Sequence, residues 1–247
     1  MKEFGSDFHY INDLKQRDTE CFLPSDARFY VNGRQAIQDL IRFKKWKKIW
    51  MPEYFCYEII NSIKETGIEV EYYFDNPSIN ENGSISKIKF LDGDVLFRMN
   101  YFGLRSKRDN SKIAVPVIED HSHDLIGVWA NSSNADWCIA SLRKSLPIAD
   151  GGILWSPKKH KLPQVVSSSN ESNMLAALRF KAMRKKANYL QGLTENKDEY
   201  LGLFAKTEAQ FNELKLSVIS SDSFSIVKSM DIESWYKQKK YNWLILS

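Results

Sequence analysis

"ADWCIASLRKSLPIADGGILWS" (residues 135–156) holds two apolar runs separated by a serine, two adjacent cations, a proline and a glycine pair. Neither "WCIA" nor "GILW" alternates apolar with polar residues, so each reads as a short strand covered on both faces. The same signature appears upstream in "GDVLFRMNYFG" (93–103) and "KIAVPVIED" (112–120). Nearer the start, "GRQAIQDLIRF" from Gly33 puts Ala36, Ile37, Leu40 and Ile41 on one helical stripe. "KIWMP" (48–52) then predicts a strand stopped by Pro52, "EYFCYEIINSIKETG" (53–67) a helix ended by Gly67, and "IEVEYYFD" (68–75) a strand. Helix and strand in alternation, a polar turn at 76–87 and then several buried strands predict a mostly parallel sheet in a three-layer α/β/α domain.

From about residue 158 the pattern becomes helical. "MLAALRFKAMRKKANYLQGL" and "KDEYLGLFAKTEAQFNEL" carry apolar stripes with charged outer faces, and "DIESWYKQKKYNWLIL" predicts a last helix that runs to the end. The domain reading is therefore 1–157 for an N-terminal segment plus the α/β domain, and 158–247 for the helical continuation.

Composition narrows the function classes. With 43% hydrophobic and 13% aromatic residues over 247 positions, the chain can fill a core. Its 35 Lys plus Arg against 31 Asp plus Glu leave only +4, spread along the length, which argues against a nucleic-acid partner. The densest basic run, "RFKKWKKIW" (42–50), reads as a solvated helix end whose lysines complement the helix dipole. Cys21, Cys56 and Cys138 are odd in number and lack CxxC spacing, so they are expected as free thiols in a reducing compartment, Cys56 and Cys138 in the core. No leader pattern and no apolar stretch of about 18 residues is visible, which predicts a cytoplasmic protein without membrane contact.

In a parallel sheet the ligand sits outside the carboxyl ends of the strands. Those ends carry "PEYFCY" after the first strand, Asn100 and Tyr101 after "VLFRM", "EDHSHD" after "VPVI", and "SLRK" after "WCIA". One rim would thus hold Asp120, His121, His123, Asp124, Ser141 and Lys144, next to the start of the Gly33 helix, whose free N–H groups suit an anion. A phosphate fits the helix start and Ser141; a protonated ring nitrogen fits a buried carboxylate; an aldehyde fits a lysine amine. Pyridoxal 5'-phosphate makes all of these demands at once.

At these residues a resemblance becomes visible. "VIEDHSHDLIG", then "ADWCIASLRKSLPIADGG", with "GRQAI" upstream, resembles the fold-type I pyridoxal-phosphate enzymes, and among them the sugar aminotransferases often called DegT/DnrJ/EryC1/StrS. The resemblance spans roughly residues 28–155 and implies pyridoxal 5'-phosphate as cofactor. It implies that Lys144 attaches the aldehyde and serves as proton carrier, that Asp120 pairs with the ring nitrogen, and that His123 lies near the phenolic oxygen or the ring face. Ser141 and the backbone at Gly33, Arg34 and Gln35 would take the phosphate. Asn100 would lie in the site, and Tyr54 or Phe55 would stack on the ring, with Tyr57 competing, while Cys56 stands at the position that aligns with the family's usual aromatic. A lysine with this role must deprotonate, and partial burial beside Arg143 is expected to help. The family also implies an amino acid as donor, a nucleotide-linked keto sugar as acceptor, surface-polysaccharide biosynthesis, and a homodimer. Its members carry a further C-terminal small domain, so here that domain is expected to be absent or truncated.

Other readings of the same residues stay open. Asp120 could cap a following helix. His121 and His123 would face the same way on an extended segment beside acidic residues, which would suit a metal-dependent hydrolase. A protein that keeps the cofactor fold but acts only by association is the remaining alternative.

Overall fold

The computed structural model describes residues 7–17, 23–78, 83–164, 169–194 and 196–246; Cys21 lies outside them. Strand β1 (Arg28–Tyr30) leads into helix α1 (Gly33–Lys44), followed by β2 (Lys48–Pro52), α2 (Tyr57–Lys64) and β3 (Glu69–Tyr73). Next come β4 (Asp94–Met99), β5 (Val117–Asp120), the short α3 (Val128–Ser132), β6 (Trp137–Ser141) and β7 (Gly152–Trp155). Helices α4 (Asn170–Leu190), α5 (Asp198–Glu213), α6 (Ser221–Ser229) and α7 (Ile232–Leu246) complete the order.

The seven strands form one sheet in the order β1-β7-β6-β5-β4-β2-β3. From β3 across to β6 every pairing is parallel, while β7 alone is reversed, pairing antiparallel with both β6 and β1. The fold is thus α/β with a mostly parallel sheet. The sequence reading lacked β1, because "RFY" is only three residues long and gains strand character from its partner "GIL". It also lacked α6, whose "SDSFSIVKS" buries little beyond Ser223 and Val227.

Burial on both faces explains why the strands do not alternate. On one face Ile49, Val95, Phe97, Ile118, Ile139 and Leu154 meet Ile37, Leu40 and Ile41 of α1 and Ile60 and Ile63 of α2. On the other, Leu96, Val117, Cys138, Ala140, Ile153 and Trp155 meet Ile219, Val227, Met230 and Ile232 from the chain around α6 and α7. The last helices therefore cover a sheet face. Helices α4 and α5 join through Phe180, Met183, Tyr200 and Phe204, and reach the sheet's edge through Leu175 and Phe211 against Val31.

Two local details position the rim. Helix α2 starts at Tyr57, four residues later than the periodicity predicts, because Glu53 and Tyr54 donate backbone N–H groups to Tyr73 and Asp75 and the Tyr54 carbonyl accepts from the Tyr101 hydroxyl at 2.7 Å. That extended piece becomes a wall instead of a helical turn. The second detail is Gly152: a Cβ there would lie 2.3 Å from the carbonyl carbon of Asn32, so only glycine lets β7 pass directly beneath the start of α1.

Candidate functional site

The start of α1 is fixed by its own sequence. Asn32 caps the helix, its Oδ1 accepting from Gln35 N at 2.9 Å, and no acidic side chain occupies the first turn. The helix's positive end is thereby left facing a cleft of about 540 Å³ at the carboxyl ends of β2, β4, β5 and β6. Gly33, Arg34, Tyr54, Phe55, Asp120, His123, Ser141 and Lys144 all line this cleft.

Each arrives by a stated local cause. Asp120 ends β5 and is buried, its Oδ1 accepting from Ser122 N at 2.8 Å. Ser122 in turn ties two loops, its hydroxyl accepting from Ser141 N at 2.8 Å and its carbonyl from the Ser145 hydroxyl at 3.0 Å. Ser141 ends β6, close enough to α1 that a Cβ on Gly33 would touch it at 3.5 Å. Lys144 comes next on a single 3₁₀ turn, Leu142–Lys144. Behind these loops, Trp235 of α7 donates to the Ser145 carbonyl at 2.9 Å and the Tyr236 hydroxyl accepts from Leu125 N at 3.2 Å. Burial and the Lys144 ammonium push the His123 pKa below its ordinary value, with Asp120 opposing.

Several expectations need correction. Gln35 does not face the cleft: its amide donates to the carbonyls of Leu214 and Lys215 at 3.0 Å, its Oε1 accepts from Ser217 N, and its backbone N–H is taken by Asn32. Asn100 is buried beside the cleft without lining it, and its side-chain amide has no hydrogen-bond partner among the described residues. Lys144 is exposed where it lines the cleft, and its neighbour Arg143 is held by Glu208. Cys138 is buried as expected, but Cys56 is exposed at the start of α2. Tyr54 is half exposed and meets Tyr101 edge-on at 5.7 Å, while Phe55 meets Phe97 edge-on at 5.1 Å.

His121 and His123 part company. Strand period two sends Glu119 and His121 to the face away from Asp120, and a turn closed by Asp124 N donating to the His121 carbonyl ends the extended run before His123. His121 is buried with Nε2 3.1 Å from Glu119 Oε2, between Trp129 and Trp155. Glu119, His121 and Cys138 form a group of metal-ligand type among the described residues. Glu119, however, already accepts from Asn110 at 2.7 Å and Ser133 at 2.6 Å, and burial, with the Glu119 charge, drives the Cys138 thiol well above its ordinary pKa. The Glu119 carboxylate is thereby engaged by three neighbours, whereas His121 Nδ1 is buried without a hydrogen-bond partner among the described residues.

Sequence reasoning also missed an arginine cluster. Arg143 holds Glu208 of α5 with two hydrogen bonds, 2.7 and 3.1 Å, Arg179 of α4 adds one at 3.1 Å, and Arg34 lies 3.9 Å away. Burial opposes the charge on Glu208, but Arg143 first, then Arg179 and Arg34, hold its carboxyl down at about 2. Arg179 also pairs with Asp7. One signal was available: Arg179 and Lys186 sit on the buried stripe of α4 with Leu175, Ala182 and Met183, where a cation requires a partner.

No protein-family model matches the chain, and no curated protein does. Solved structures match over about half of it. A DegT DnrJ EryC1 StrS aminotransferase from Brucella abortus is 12% identical with a TM-score of 0.40, over 54% of this chain and 42% of the other. A serine palmitoyltransferase from Sphingomonas wittichii is 14% identical with a TM-score of 0.41, over 55% and 39%. NtdA from Bacillus subtilis, with bound cofactor PMP, is 14% identical with a TM-score of 0.43, over 54% and 33%. The chain spans between 33% and 50% of the length of structures such as these. Likeness at this level assigns no role to any residue of the cleft.

Proposed function

We propose that the protein is a pyridoxal 5'-phosphate-dependent aminotransferase that takes an amino group from an amino acid and delivers it to a keto sugar, nucleotide-linked, in surface-polysaccharide or related biosynthesis. One observation carries the reading: an α-helix start, a hydroxyl, a buried carboxylate, an imidazole and a lysine amine converge on a single cleft of about 540 Å³. The donor set fits the cofactor group by group. The first N–H groups of α1 at Gly33 and Arg34, with the Ser141 hydroxyl, suit a phosphate. The Asp120 carboxylate, oriented through one oxygen by Ser122 N, suits a protonated ring nitrogen. Lys144 Nζ suits the aldehyde, and Tyr54, Phe55 and His123 offer flat faces.

When bound, the cofactor would supply an electron sink for a carbanion at the substrate's α-carbon. The remaining work would belong to this chain. Lys144 Nζ would carry the proton to and from that carbon, and Asp120 would keep the ring nitrogen charged. A polar groove of about 450 Å³ adjoins the cleft through Asn32, Arg34 and Glu58, and Asn61 and the Gln38 Oε1 would offer partners there for hydroxyls of a sugar. Lys144 is exposed, so the dry surroundings its deprotonation calls for would come from bound ligand and from a second copy of the chain; Tyr57 and Leu104, 80% and 83% exposed, are apolar surface that such a homodimer would cover. The reaction is proposed to be cytoplasmic; among the described residues no helix is long and apolar enough to cross a membrane.

The same exposure of Lys144 favours one second reading, a protein that holds the cofactor without turning it over. The test separates the two. Protein incubated with pyridoxal phosphate, reduced with borohydride and mapped by peptide mass is expected to carry the adduct at Lys144; a colourless protein, or label at another lysine, defeats the proposal. Colour that glutamate fails to bleach leaves binding without transfer.

A further inference from the structure

Phe102 sits at φ 55° in the Tyr101–Gly103 turn, a left-handed conformation that a bulky residue rarely takes. Gly103 is next at φ 70°, and a Cβ there would come within 2.6 Å of Asp124 Cβ. The turn is thus wedged against the loop that carries His123. Two contacts result: the Phe102 N–H donates to His123 Nδ1 at 3.0 Å, and the Phe102 ring lies on the imidazole with centroids 5.2 Å apart and planes 3° from parallel. A ring nitrogen that accepts carries no proton, so in the neutral imidazole the proton resides on the other one. Nε2 makes no hydrogen bond to the protein among the described residues, and the ring lines the cleft next to Asp120 and Lys144.

We propose that Phe102 is a positioning residue whose backbone N–H holds His123 as the Nε2–H tautomer, so that the cleft presents a neutral hydrogen-bond donor. The ligand group that meets it is then an acceptor, a carbonyl or anionic oxygen. Only the identity of that ligand rests on the proposed function; the tautomer does not. Burial and the Lys144 ammonium lower the His123 pKa, with Asp120 the opposing charge, which keeps the ring neutral near pH 7. The strained backbone has a function of its own: it aims the N–H.

The full chain labelled with ¹⁵N-histidine, without added cofactor, tests this by long-range ¹H–¹⁵N correlation at neutral pH, with the His123 signals assigned by their loss in His123→Gln. The expected result is a pyridine-type shift at Nδ1 and a pyrrole-type shift at Nε2. Phe102→Gly keeps the N–H and takes positive φ freely, so it is expected to preserve the pattern. A protonated Nδ1, or averaged shifts from exchanging tautomers, in the wild type overturns the proposal. Loss of the pattern in a folded Phe102→Gly protein overturns the backbone N–H as its cause. With no cofactor in the sample, these outcomes stand whatever borohydride trapping at Lys144 yields.

Discussion

The two sides of β5 carry the same kinds of group and use them oppositely. On one side Glu119 and His121 are completely buried, and the carboxylate accepts from His121, Asn110 and Ser133. On the other side Asp120 and His123 each spend one atom on a backbone N–H, 2.8 Å from Ser122 and 3.0 Å from Phe102, and keep the rest toward an open cleft. A carboxylate held by three neighbours contributes to stability, even though His121 Nδ1 and Asn110 Oδ1 beside it stay unpartnered among the described residues; a set oriented by backbone donors and open to a cleft is prepared for a ligand. Residue type alone does not separate the two, because each side offers a carboxylate and an imidazole.

Substitutions can break that contrast. The largest effect is expected at Glu119→Ala, which strands the buried His121 and removes one acceptor each from Asn110 and the half-buried Ser133, and should cost roughly 3 kcal/mol in urea unfolding. A loss below about 1 kcal/mol would mean that the network is not what holds this side together.

Glu208→Gln comes next. The folded carboxyl sits at about 2, below its ordinary value of 4.5, so its contribution is present above pH 4.5 and fades as pH falls toward 2. With the side chain 38% exposed, solvent screening reduces that contribution to on the order of 1 kcal/mol. Wild type should therefore lose stability over that acid window more steeply than the variant, as read from urea midpoints at successive pH values; parallel curves would remove the arginine cluster as a source of stability.

Smallest in stability are Asp120→Asn and Lys144→Ala, each expected within about 1 kcal/mol of wild type, since Asn keeps the oxygen that Ser122 needs and Lys144 is exposed. Both should nevertheless lose retention of pyridoxal phosphate, measured as absorbance after gel filtration. A variant that unfolds while its Glu119 counterpart does not would invert the comparison.

Much of this was legible in the chain. Apolar runs that fail to alternate announced doubly covered strands, and Asp120, Ser141 and Lys144 stand out as polar residues at the carboxyl ends of those runs. Three things were not legible. His121 reads like His123 until the turn after Asp120 separates their directions. Gln35 is close to Gly33 in sequence, yet the cap at Asn32 and the chain at 214–217 claim it. Glu208 reaches the cleft's edge across 65 residues from Arg143, a distance no local pattern spans.

Periodicity and spacing by themselves determined the long strands and helices and which polar groups lie at the strand ends, because an apolar run or stripe is a local property, whereas β1, α6 and the start of α2 depend on partners distant in sequence. Which of those groups share a cleft, which are silenced by partners and which way each imidazole faces were decided only in the folded chain, where positions distant in sequence compete for the same hydrogen bonds.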